Sequence, residues 1–222
     1  MLNSEIILNL KKIGKMLPDE FYQREDVVRI AKELLGKILV TNFKNQLTAG
    51  RIVETEAYNG PHDKAAHSYN YKRTNRTEAM YKDGGIAYIY LCYGIHQMFN
   101  IVTNTIDIPN AILIRAIEPI TGVDIMLKRS NKLLADFTLT KGPGNVGKAL
   151  GFNTIYTGMS LQSEDIFIID DGFVHHDNQI VVTKRIGVDY AKEDALLPYR
   201  FYILGSNFKS GTKTSNLPHI PL

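Results

Sequence analysis

The chain has 222 residues, 44% of them hydrophobic, with a formal net charge of +3. That describes one domain with a sizeable core, and no segment approaches the apolar length of a membrane span. Cys92 is the sole cysteine, so an intrachain disulfide and a cysteine zinc cluster are excluded and a reducing cytosolic compartment fits. Residues 1–15 mix short apolar runs with Lys11, Lys12 and Lys15 and show no small-residue cleavage site, which argues against secretion.

In chain order, residues 2–19 read as an amphipathic lead-in that stops at Pro18. Asp26 is a good N-cap for a helix over 27–35, whose apolar positions 27, 28, 30, 31, 34 and 35 form a helical stripe ending at Gly36. Strands follow at 37–43 and 47–57, joined by a turn at Asn45. Alternation along the second places Ile52, Glu54, Glu56 and Tyr58 on one face. Two carboxylates there mean either a solvated strand face or part of a site. Asn59-Gly60-Pro61 breaks the strand, and a polar loop runs to Gly85.

The stretch Tyr88-Ile-Tyr-Leu-Cys-Tyr-Gly-Ile-His-Gln-Met-Phe-Asn100 reads as two strands joined through Tyr93-Gly94, where glycine supplies the freedom in φ that a tight hairpin needs. An aromatic ring at such a tip suits a wedge that enters a DNA groove. The plain alternative is that Tyr93 folds back over its own strand. A strand over 111–117 carries Arg115 among isoleucines and leucine, which implies a carboxylate partner. A helix is expected over 120–134. Lys141-Gly-Pro-Gly-Asn-Val-Gly147 reads as a loop without Walker spacing, leading into a short helix at 148–151. Strands at 166–170, 181–186 and 200–204 complete the sheet. The expected architecture is α+β: one domain over 1–222, a mixed, largely antiparallel sheet with peripheral helices and a protruding β-hairpin. Residues 1–20 form its lead-in and 211–222 a loose tail.

Between Lys64 and Lys82, the residues Lys64, Lys72, Arg73, Arg76 and Lys82 outnumber Glu78 and Asp83. No acid occurs after Asp194, while Arg200, Lys209 and Lys213 remain. Patches of this kind neutralise phosphates, or are simply solvated loops. His62, Asp63 and His67 lie close together but without the helical spacing of a metal motif. A single well-placed carboxylate such as Glu56 suits glycosidic hydrolysis, whose transition state resembles an oxocarbenium ion. From the residues alone, a nucleic-acid glycosylase, a non-catalytic nucleic-acid-binding module and a glycoside hydrolase using Glu54 and Glu56 all stay open.

The run Arg51-Ile-Val-Glu-Thr-Glu-Ala-Tyr-Asn-Gly-Pro-x-Asp-x-Ala-Ala-His-Ser68 resembles the signature of the alkyladenine (3-methyladenine) DNA glycosylases. The hairpin ending Tyr93-Gly94, then Asn100, Arg115-Ala-x-Glu-Pro119, Gly142-Pro143, Arg185-Ile-Gly-Val188 and Pro198-x-Arg-Phe-Tyr202 follow in that family's order. The resemblance spans about 21–210. It implies a monofunctional glycosylase of base excision repair, acting without cofactor or metal as a monomer on double-stranded DNA, and bound to no membrane. Its purines would be 3-methyladenine, 7-methylguanine, hypoxanthine and ethenoadenine.

The resemblance also implies roles. Glu56 would activate water, with Arg115 and the Ile186 carbonyl holding it. Tyr58 and His67 would stack on one face of the extruded base and Tyr90 on the other. Tyr93 would fill the gap in the duplex. Asn100 would disfavour guanine at its exocyclic amine, and the His67 amide would donate to an acceptor at purine position 6. Lys72, Arg73 and Arg76 would meet the DNA backbone. Glu54 is structural in this reading. Ile95-His96 and Val102-Thr103 depart from the family pattern, the first behind the wedge and the second at the expected pocket floor.

Overall fold

The structure, a computed structural model, describes Lys12 and residues 14–211. Most of the lead-in and the tail from residue 212, with Lys213, lie outside the described residues. Four α-helices lie wholly within the described residues: α1 (Asp19–Tyr22), α2 (Val27–Glu33), α3 (Val123–Ser130) and α4 (Pro143–Leu150). Nine strands form one sheet: β1 (Lys15–Met16), β2 (Ile38–Phe43), β3 (Gln46–Tyr58), β4 (Ala87–Cys92), β5 (His96–Thr103), β6 (Asn110–Thr121), β7 (Ile166–Asp170), β8 (Ile180–Thr183) and β9 (Arg200–Ile203). The order is β1-β7-β2-β3-β6-β5-β4, with β9 joining β3 and β8 joining β9. Every pairing among the described strands is antiparallel. The α+β expectation holds.

Local signals explain several boundaries. Asp26 caps α2 by accepting from the Arg29 amide at 2.9 Å. Helix α2 then buries Val27, Ile30 and Ala31 against the sheet, and Thr55 of β3 donates its hydroxyl to the Ala31 carbonyl at 2.8 Å.

Strand β3 changes partner along its length. Residues 46–51 pair with β2, whereas Glu54, Thr55 and Glu56 pair with β9 on that side and with β6 on the other. The two glutamates therefore lie in the middle of the sheet, not at an edge. The β3–β6 register slips three times, once between Ala49 and Gly50 and twice around the glutamates: Ile52 faces Ile117 while Glu54 faces Ala116, and Thr55 then faces Ile114. Val53 on one strand and Arg115 on the other are thus the extra residues of two compensating bulges. Bulges re-aim side chains, and here they bring Arg115 to Glu54 and Glu56. Ile52, on the far side of the first bulge, joins the main apolar core instead of the polar group.

Three expected elements shift. The helix expected over 120–134 starts only at Val123, because β6 continues to Thr121 and Gly122, at φ +74°, turns the chain. The strand expected over 181–186 is Ile180–Thr183, and the chain leaves the sheet before Arg185. The glycine-rich run after Lys141 is helix rather than loop: α4 begins at Pro143, where a first-turn proline is tolerated. A Cβ on Gly147 would lie 1.9 Å from the Gln97 carbonyl oxygen, so glycine there permits close packing of α4 on β5. That contact sets Pro143 at the rim of the site below.

Candidate active site

Glu56 and Glu54 lie two residues apart with no exposed surface. Burying two carboxylates demands partners, and Arg115 supplies both. Its Nη1 is 3.1 Å from Glu56 Oε2 and its Nε 3.1 Å from Glu54 Oε1. Glu56 accepts two further bonds, from the Tyr58 hydroxyl to Oε2 at 2.8 Å and from the Ile186 amide to Oε1 at 2.8 Å. A carboxylate offers about four acceptor positions, so one direction on Oε1 stays open. Burial, then the Glu56 charge, pushes the Tyr58 phenol well above its ordinary value, so this hydroxyl is a permanent donor.

Glu54 is held differently. Burial favours its neutral form, but Arg115, the Ser210 amide and Arg200 outweigh that and hold its pKa below the ordinary carboxylate value. Of the readings open for this strand, the solvated face is excluded.

Beside Glu56 is a cavity of about 210 Å³ whose lining includes Tyr58, His67, Tyr90, Asn100, Arg115 and Ile186. Ligand pockets commonly span about 300–1,000 Å³, so this one suits a single small ring system. Glu56 itself lies behind the wall. His67 is hydrogen-bonded through Nδ1 to the Tyr88 hydroxyl at 2.8 Å and meets Tyr90 edge to face, ring centroids 4.5 Å apart. Burial first, then the Arg76 and Lys72 charges, lower the His67 pKa to about 4, leaving the imidazole neutral at physiological pH. Asn100 donates through Nδ2 to the carbonyls of Tyr88 and Met98, both at 3.2 Å, so its amide is fixed. Val102 packs behind Tyr88 with Met80 and Ala111, and it is Met80 and Ala111 that reach the cavity wall.

Tyr93 does not fold back: it is 91% exposed, at φ +50° on the tip of the β4–β5 hairpin. Beside the cavity, Arg76 is exposed and lies 5.1 Å from the Tyr90 ring centroid. Lys72 is exposed as well. Arg73 differs from both, since its guanidinium is taken by Glu78 at 2.6 Å and Asp107 at 2.8 Å. The acid-free C-terminal stretch is not uniformly a free basic surface either, because Arg200 is buried on Glu54 at 2.7 Å.

Asp63 pairs with Arg185 through both oxygens and caps the Asn59 and Ala65 amides, which gives it a structural use. Among the described residues no group of three or more His, Cys, Asp or Glu side chains converges as a metal site requires. Sequence reasoning assigned no role to Arg185, which lies over the Tyr58 ring at 4.8 Å and steadies it, although the Arg-Ile-Gly-Val run pointed to that stretch. It also missed Tyr190, whose hydroxyl donates to the Ala65 carbonyl at 3.0 Å and ties two loops at the cavity mouth. Ser210 on Glu54 carried no signal at all, being 156 positions away in sequence.

The methylpurine-DNA glycosylase (MPG) family profile matches residues 20–207. A Chlamydia abortus protein named "Putative 3-methyladenine DNA glycosylase" is 50% identical over 189 residues, covering 85% of this chain and 98% of the relative. A relative of the same name from Chlamydia felis is 47% identical, covering 89% and 100%, and one from Clostridium perfringens is 42% identical, covering 86% and 97%. No helix among the described residues is long and apolar enough to cross a membrane. With that coverage the chain belongs to the methylpurine-DNA glycosylase family, hydrolases of N-glycosyl bonds that serve base excision repair of DNA.

Proposed function

We propose that this chain is a monofunctional glycosylase that extrudes a damaged purine from double-stranded DNA and hydrolyses its N-glycosyl bond with water activated by Glu56. The observation that carries the reading is the setting of Glu56: a fully buried carboxylate, fixed by two hydrogen bonds and the Arg115 ion pair, with one acceptor direction left on Oε1 beside Ile186. A water held there by Glu56 and the Ile186 carbonyl would attack C1′ of the extruded nucleotide as positive charge develops on the sugar. The fixed carboxylate stabilises that charge, and Arg115 keeps it aimed. Pairing with Glu193 raises the Lys64 pKa, the opposite of the depression an amine nucleophile needs, which favours direct hydrolysis over Schiff-base chemistry.

The base would enter between Tyr90 on one side and His67 with Tyr58 on the other. Stacking a ring between two others needs about 7 Å, two contacts of about 3.5 Å, so the 4.5 Å contact of His67 with Tyr90 must open. The wall hiding Glu56 must shift with it. A neutral His67 suits stacking on an uncharged base. Asn100, pinned at the cavity wall, would meet the exocyclic amine of guanine. The preferred substrates are 3-methyladenine, as in the relatives' names, with 7-methylguanine, hypoxanthine and ethenoadenine. Tyr93 would fill the gap in the duplex while Lys72 and Arg76 meet phosphates, and the enzyme would act as a monomer without a cofactor.

The test is single-turnover excision from a duplex bearing one hypoxanthine, followed by hot alkali. Free hypoxanthine and cleavage at that site are expected. Glu56→Gln should keep lesion binding and lose about 10²–10⁴-fold in rate. A variant retaining more than about a tenth of the wild-type rate would remove Glu56 from its assigned role.

A further inference from the structure

The cavity does not account for everything around Arg115. Four buried charged side chains form a neutral chain, Arg200–Glu54–Arg115–Glu56, with contacts of 2.7, 3.1 and 3.1 Å. Ser210 closes it. Its amide donates to Glu54 Oε2 at 2.6 Å and its hydroxyl to Glu54 Oε1 at 2.8 Å, while the same hydroxyl oxygen accepts from Arg115 Nη2 at 3.0 Å and Nε at 3.3 Å. Arg200 Nη2 in turn donates to the Ser210 carbonyl at 2.9 Å. Ser210 lies three positions beyond the stretch matched by the family profile.

The guanidinium of Arg115 is a rigid planar fork. Its Nε edge rests on Glu54 and Ser210, and only Nη1 reaches Glu56. Fixing one edge of a plane fixes the direction of the far end. Glu54 accepts four bonds, three on Oε1 from Arg115, Arg200 and the Ser210 hydroxyl and one on Oε2 from the Ser210 amide, so it is tied into this network from both oxygens. A purely structural salt bridge would need neither the second arginine nor a residue brought from the end of the described chain.

We infer that Ser210, acting with Glu54, is a positioning residue that aims Arg115 at Glu56, so that the C-terminal segment completes the active site. The inference rests on the proposed role of Glu56. Misplacing a catalytic group by about 1 Å costs on the order of 10²-fold. Ser210→Ala, which removes the hydroxyl and keeps the amide, should therefore lower the single-turnover rate about 10- to 100-fold. Binding of the hypoxanthine duplex should change by less than about twofold. Ser210→Cys keeps the size of the side chain but is a poor donor and acceptor, and should lose rate similarly.

The decisive measurement is a double-mutant cycle in the full chain with Arg115→Lys, which retains a charge but not the fork. If Ser210 works through Arg115, adding Ser210→Ala to Arg115→Lys should change the rate by less than about twofold, because residues acting as a unit are non-additive. Multiplying losses would overturn the inference. So would a Ser210→Cys variant with wild-type rate, which would mean that volume alone matters, or a loss of binding and melting temperature that tracks the loss of rate. The cycle reads the coupling of Ser210 to Arg115 whatever Glu56→Gln does, so a failure of the Glu56 assignment is seen separately in that variant.

Discussion

The β2–β3 turn holds Lys44 and Asn45 at φ of +54° and +58°, and the β4–β5 turn holds Tyr93 and Gly94 at +50° and +74°. Both are left-handed pairs, the geometry whose twist matches a hairpin. In the first, Phe43 faces Gln46 directly across two polar residues. In the second, Cys92 faces His96, so Ile95 is an extra residue in the turn, and its amide donates to the Cys92 carbonyl at 3.2 Å. The first hairpin lies in the middle of the sheet, between β7 and β6, while β4 is an edge strand. A polar tip in water asks for no explanation. Tyr93 at 91% and Ile95 at 73% exposure do, since leaving such side chains in water forgoes about 1.5–3 kcal/mol each of burial. The left-handed tyrosine adds a cost of about 1–2 kcal/mol. Nothing among the described residues recovers either amount. A ring held there at a cost to the free protein is one whose contacts are made elsewhere.

The two hairpins are set apart most severely by Tyr93→Ala against Asn45→Ala. A base–aromatic contact is worth about 1–3 kcal/mol, so Tyr93→Ala should slow excision of a well-paired hypoxanthine about 5- to 150-fold. The loss should shrink for mispaired or single-stranded substrate, where extrusion is cheaper. Asn45→Ala should leave excision unchanged. A uniform loss across substrates with a lowered melting temperature would mean that Tyr93 merely packs.

Gly94→Ala comes next. Nothing lies within 4 Å of a Cβ built there, so the substitution meets no clash and acts through φ alone. Left-handed strain of about 1–2 kcal/mol should reduce excision of the paired lesion about 5- to 30-fold, with the same dependence on pairing as Tyr93→Ala. An effect independent of pairing would separate the turn from the wedge.

Acid should loosen the base of the same hairpin through His67, which touches Tyr88 and Tyr90 of β4. Its pKa is lowered to about 4 from 6.5, so the unfolded chain takes up this proton first. Stability should fall as pH drops below 6.5 and the loss should level off near 4. At pH 5 it amounts to at most about 2 kcal/mol, roughly 4–8 °C in melting temperature. His67→Gln should flatten that pH dependence. An unchanged curve would show that other groups carry it.

Local signals made much of this legible. The capped helix α2, both hairpins and the tip position of Tyr93 follow from N-cap, turn and alternation rules, and a lone Arg115 in an apolar strand correctly implied a carboxylate. What stayed hidden was set by contacts distant in sequence. Glu54 and Glu56 stayed open between a solvated face and a site because nothing local shows that Arg200, Ile186 and Ser210 come to them from far along the chain. The bulges at Val53 and Arg115 leave no mark that alternation detects. The glycines of α4 resembled a loop because their use is close approach to β5. Arg73 resembled its neighbours in a basic run until Asp107, 34 positions on, occupied it.

The occupied Arg73 and its exposed neighbours should differ in a smaller way, through salt. Removing one cation that neutralises a phosphate should reduce the slope of log K against log salt by about 0.9 for duplex DNA. Lys72 and Arg76 are exposed beside the cavity, so Lys72→Ala and Arg76→Ala should each lower the slope by about that much and weaken binding to undamaged duplex. Arg73 already pairs with two carboxylates of its own chain. Surface pairs are weak, about 0–1 kcal/mol, yet a cation shared by Glu78 and Asp107 brings little net charge to a phosphate. Arg73→Ala should therefore lower the slope by clearly less than either neighbour, and Glu78→Gln with Asp107→Asn should raise it by freeing the guanidinium. Equal slope changes for Arg73 and Arg76 would mean that Arg73 leaves its carboxylates when DNA arrives, and that the whole basic run, rather than Lys72 and Arg76 alone, meets the backbone.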